Sequence, residues 1–255
     1  MSQPVNAAIP LSTAIILPKL LPLILDGTSS VRVQLLKLLR LLPEKDVADR
    51  AESALLYIRA GLTHLAVEIR NDSLTTIEWL LTSAKEETVA CPGGWVKTLK
   101  AFVSMMGWAV SSGTTKWSSA AKTTFGKGGK AFPRQLLVLA QFLKVGLGKT
   151  STDEPCGRGT CFPIWDVSTH MMPTQSNAYG HLNLFGPGRD EEGEMYAERE
   201  SRQRVFQVRF RSEIEKGIES AKKEAGEVGR AAAILEKVML EGMEDYGGVE
   251  ELSVH

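Results

Sequence analysis

At 255 residues the chain is long enough for one large or two modest domains, and a 43% share of hydrophobic residues can bury a sizeable core. Its 30 basic and 30 acidic residues cancel, which excludes a long-range electrostatic pull toward nucleic acid or anionic lipid and leaves any RNA contact to a local patch. Three cysteines, Cys91, Cys156 and Cys161, are too few and odd in number for a disulfide framework, so a reducing compartment is expected.

The apolar stretch at residues 9–25 is interrupted by Pro10, Pro18, Lys19 and Pro22 and has no preceding Lys or Arg. It falls short of the roughly 20 uninterrupted apolar residues of a membrane span and lacks a secretory n-region, so a buried helix, bent or restarted by Pro18 and Pro22, is predicted over residues 10–25. The turn Asp26-Gly27-Thr28 follows, with Ser29 or Ser30 as cap of a helix over 31–42 that Pro43 stops. On that helix Val31, Leu35, Leu38, Leu39 and Leu42 share one face, while Val33 and Leu36 widen the apolar zone onto both flanks. A helix apolar on several sides needs several neighbours, as inside a stack of helix pairs.

The pattern recurs: Ile69-Arg70 follows Val31-Arg32 by 38 residues, aligning Leu36 with Leu74, Leu39 with Ile77 and Leu42 with Leu80. Ala54, Leu55, Ile58, Leu62 and Leu65 supply the stripe of the helix between. The interval is close to the roughly 40 residues of armadillo and HEAT units. Further helices are predicted over 94–108 (Trp95, Leu99, Phe102, Met106) and 132–147 (Leu136, Leu139, Ala140, Leu143), separated by a surface loop at 111–130. Residues 149–190, with four prolines and no helical period, read as an irregular strap. Charged helices are expected over 191–224, around Val205, Phe206, Val208, Phe210 and Ile214, and a last helix over 227–246 ends at Gly247-Gly248. The organisation expected is therefore a helical-repeat domain at 1–148, a strap at 149–190 and a C-terminal helical region at 191–255, all of it α.

Reaction chemistry is sparse. Gly146-Leu147-Gly148-Lys149-Thr150 imitates a phosphate loop, but the position that requires glycine is Leu143 and a helix precedes it where a strand is needed, so a helix C-terminus is predicted instead. Cys156, Cys161, His170 and His181 lack the short paired spacings of closed zinc sites, and no metal or other cofactor is expected. His64 falls in an apolar stripe as a structural histidine, and no serine lies in a nucleophile elbow. Trp79, Trp95 and Trp108 read as core, and Lys116, Lys122, Lys127 and Lys130 as a solvated loop.

Several stretches carry a resemblance: residues 20–27 (Leu-Leu-Pro-Leu-Ile-Leu-Asp-Gly), 30–39, 57–65, 72–81, 91–100 (Cys-Pro-Gly-Gly-Trp-Val-Lys-Thr-Leu-Lys), Gly107-Trp108, 183–186, the segment around Arg204-Val205-Phe206, and 226–232. Together they are similar to the fungal pre-rRNA-processing family named for its part in processing internal transcribed spacer two, subunit one, whose animal relative is testis-expressed protein ten. The resemblance implies an armadillo-like fold without enzymatic activity, in a nuclear complex with a larger α-solenoid subunit and a WD-repeat propeller subunit. That complex docks the midasin AAA ATPase onto pre-60S particles. The family's lysine-rich extension before the first repeat has no counterpart here, and direct RNA contact is left open. Candidate partner anchors are Phe162, Trp165, Tyr179, Leu184 and Phe185, apolar residues in a strap that has no period by which to bury them. The competing readings are a helical-repeat adaptor of another nuclear complex, for chromatin or transport, and a nucleotide-binding enzyme using Gly148-Lys149-Thr150.

Overall fold

A computed structural model describes residues 13–108, 131–149, 191–224 and 226–247. Among these, every regular element is helical. Residues 1–148 and 192–255 belong to one compact unit and residues 149–191 to a second, of which only Lys149 and Glu191 are described.

The chain enters as α1 (Thr13–Leu20) and tightens at once into a 3₁₀ turn (Leu21–Leu25) whose first turn holds Pro22. The helix expected here restarts at Pro22 as a second element, because proline lacks the amide that would continue the i→i−4 ladder. α2 (Ser29–Leu39) begins two residues earlier than predicted, and its N-cap is Thr28 with no side-chain cap bond. The predicted serine caps lie inside the first turn, and the Asp26 carboxylate instead accepts the Thr28 amide at 2.7 Å. Then follow α3 (Glu44–Ala48), α4 (Ala51–Leu62), α5 (Val67–Ser83), α6 (Lys85–Ala90), α7 (Val96–Met105) and α8 (Phe132–Leu147). After a 3₁₀ turn (Glu191–Gly193) come α9 (Arg199–Arg209), α10 (Arg211–Lys222) and α11 (Glu227–Met243).

One hydrophobic core runs through these helices from Leu17 to Met243. Two of the three aligned pairs of the 38-residue recurrence match in burial, Leu39 with Ile77 and Leu42 with Leu80, whereas Leu74 is buried and Leu36 packs half-buried against the core. The correspondence extends to a device that spacing does not reveal. Arg32 is the fourth residue of α2 and its Nη1 donates to the Asp26 carbonyl six residues back, at 2.6 Å. Arg70 is the fourth residue of α5 and its Nη1 donates to the carbonyls of His64, again six back, and Leu65, at 2.6 and 2.9 Å. Each arginine folds over the start of its helix and satisfies carbonyls of the turn before it.

Two predicted stripes are corrected. α4 ends at Leu62, so Leu65 lies in the following turn and is 83% exposed; His64 is there too, its Nδ1 accepting the Ala66 amide at 3.1 Å. The charged segment after residue 191 is two helices broken at Phe210, where φ is −123°. Phe206, Phe210 and Ile214, spaced by four, are buried on one side, while Val208, about 200° around α9 from Phe206, is 79% exposed. These C-terminal helices are not a peripheral layer: α11 packs along α8 and α10, and α9 packs on α8.

Close helix approach depends on glycine at specific places. A Cβ on Gly146 of α8 would lie 2.1 Å from the Trp95 ring, and one on Gly217 of α10 would lie 2.3 Å from the Trp108 ring. Gly146→Ala is therefore expected to destabilise the fold by about 2–3 kcal/mol through overpacking. Gly27→Ala, where a Cβ would meet nothing within 4 Å, should stay within about 0.5 kcal/mol of the parent. Urea unfolding of the two variants checks the contrast, and equal effects would refute the packing account.

Candidate interaction surface

Buried polar groups must find partners, and here they tie distant segments together. The hub is the turn Cys91-Pro92-Gly93-Gly94-Trp95. Gly93 takes φ +66°, a left-handed conformation that favours glycine. Its carbonyl accepts Arg59 Nη1 from α4 at 2.8 Å, and its amide donates to the Glu194 carbonyl at 3.1 Å. Trp95 is fully buried; its ring stacks on Phe142 of α8 at 5.2 Å and its Nε1 donates to the Arg202 carbonyl at 3.1 Å. Burial, with a smaller push from Glu52, raises the Cys91 thiol to about 11, Arg59 opposing.

Arg202 answers from α9, where it is again the fourth helical residue and again reaches six residues back, Nη1 to the Tyr196 carbonyl at 2.9 Å and to Ala197 at 2.7 Å. Its Nε donates to the Gly146 carbonyl at 2.8 Å and its Nη2 to Glu86 of α6 at 3.1 Å. Arg32, Arg70 and Arg202 are the buried charged residues among those described. One turn earlier, Arg199 donates from Nε to the Leu147 carbonyl at 2.6 Å and clasps Asp245 with both terminal nitrogens, at 2.8 and 2.7 Å. Gln203 donates to the Gly242 carbonyl and to Asp245. The Arg199 hydrogen bonds, with help from Gln203, hold the Asp245 carboxyl well below the usual carboxylate range.

This geometry settles the character of the phosphate-loop look-alike. Residues up to Leu147 are helix, and the end presents carbonyls at the negative pole of α8 to two guanidinium groups. A phosphate needs amides at a positive pole. Trp79 and Trp95 are buried and Trp108 is half-buried against Phe132 at 6.5 Å, as core residues. Among the described residues no group of three or more His, Cys, Asp or Glu side chains is arranged to hold a metal ion, and no helix is long and apolar enough to cross a membrane. The predicted anchors Phe162, Trp165, Tyr179, Leu184 and Phe185 lie outside the described residues, as do the cysteine–histidine set at 156–181 and the lysines at 116–130. What the described residues do offer is outward apolar side chains, among them Leu38, Leu41, Leu65 and Val208.

These features define a class: a protein whose described regular elements are all helical, in which buried arginines bind segment to segment and several apolar side chains face outward. Residues 45–143 match the family described as "Rix1 complex component involved in 60S ribosome maturation". Over 98% of its length the chain is 62% identical to "Pre-rRNA-processing protein ipi1" of Sclerotinia sclerotiorum, covering 74% of that protein. The protein of the same name from Chaetomium thermophilum is 49% identical over 94% of the chain and 72% of its own length, and that of Pyricularia oryzae 46% over 96% and 73%. The chain belongs to the Ipi1 family of pre-rRNA-processing proteins.

Two variants test the junction. Arg202→Met keeps length but strands three backbone carbonyls, and should cost about 3–5 kcal/mol in urea unfolding. Asp245→Asn should cost about 1 kcal/mol at pH 7, since the pair is partly exposed. Because the folded carboxyl lies below the roughly 3.9 of an unfolded aspartate, its contribution is complete above about pH 5 and is lost as pH falls toward the folded value. The difference between parent and variant should narrow steadily from pH 5 to pH 2; a constant difference would contradict the ion pair.

Proposed function

We propose that this chain is a non-catalytic scaffold subunit of a nuclear complex that matures the large ribosomal subunit and is required to remove internal transcribed spacer two. The observation that carries the reading is the 62% identity to a pre-rRNA-processing protein along 98% of the chain, together with the match to a family described as a component of the Rix1 complex. The polar chemistry of the described core agrees with it: the arginines that a catalytic centre would place in a cleft are instead buried against backbone carbonyls.

In this reading the helices stack as an armadillo- or HEAT-like solenoid. Support comes from the 38-residue recurrence and from a buried fourth-residue arginine that reaches six residues back, present among the described helices in α2, α5 and α9. A solenoid usually needs about three or more units to bury its faces. The partners are a larger α-solenoid subunit and a WD-repeat propeller subunit of the same complex, the midasin AAA ATPase and the pre-60S particle. Phe162, Trp165, Tyr179, Leu184 and Phe185 are the proposed anchors of the 149–190 strap. No cofactor takes part.

A tagged copy at the native locus is expected to sediment with pre-60S particles, and its depletion to accumulate pre-rRNA that retains internal transcribed spacer two. Absence from pre-60S fractions with normal spacer removal would overturn the reading. Changing the five strap residues to Ala should lower recovery of co-purifying subunits at least tenfold with an unchanged melting curve; undiminished recovery would remove them from the interface.

A further inference from the structure

We draw no further inference here: the strongest candidate, the cleft of about 150 Å³ between α2 and α5 lined by Arg32, Val33, Leu36, Asp72 and Thr75, carries nothing, because Arg32 gives its Nε to Asp72 at 2.7 Å, its Nη2, unpartnered among the described residues, is buried out of a guest's reach, and nothing in the structure shows what covers the remaining, mostly apolar lining.

Discussion

The fold depends on a single exchange between Trp95 and Arg202. The indole gives its N–H to the arginine's backbone carbonyl, and the arginine's side chain gives its own to the carbonyl of Gly146, against which the indole ring lies. Three segments far apart in sequence, the start of α7, the end of α8 and the start of α9, are closed into one knot. Nothing smaller than tryptophan fills the space, and nothing larger than glycine at 146 leaves room for it. The knot also sets the polarity of the α8 terminus, because the guanidinium groups of Arg199 and Arg202 occupy the place where unsatisfied carbonyls would otherwise face an apolar interior.

Much of the helical order was legible from local pattern. The limits of α8 fall where Pro133 and the Gly146-to-Gly148 segment predict them, since proline fits the first turn of a helix and glycine its end. The recurrence of Val/Ile-Arg pointed to equivalent positions, and the arginines, Leu39 with Ile77 and Leu42 with Leu80 are equivalent in burial. Where reading failed, a long-range contact was responsible. Residues 199–209 are dense in charge and so suggest a solvated helix, yet Arg202 and Gln203 are buried because carbonyls from residues 146, 196, 197 and 242 converge on them. No window of α9 contains that information.

The interaction surface was less legible than the core. Cys91-Pro92-Gly93-Gly94-Trp95 stood out as a resemblance, without the role of hub that its hydrogen bonds give it. Leu38 was assigned to a buried stripe on its spacing alone, whereas burial of a helix face depends on whether a neighbour exists on that side, and among the described residues Leu38 is 41% exposed. The strap residues singled out for partner binding belong to a stretch whose period carries no signal, so their selection came from composition alone.

The spacing of the knot in sequence has a consequence for how the protein is made. Trp95 and Gly146 leave the ribosome well before Arg202, and the clasp of Arg199 waits for Asp245 near the far end of the chain. Until then the indole, the end of α8 and the leucines that α11 will cover have no partners, so the emerging chain carries an open seam of apolar surface for much of its synthesis. Folding of the first part cannot be completed in advance of the last. A nascent chain of this design depends on protection during translation, and a premature stop after α8 leaves a fragment that exposes its own core.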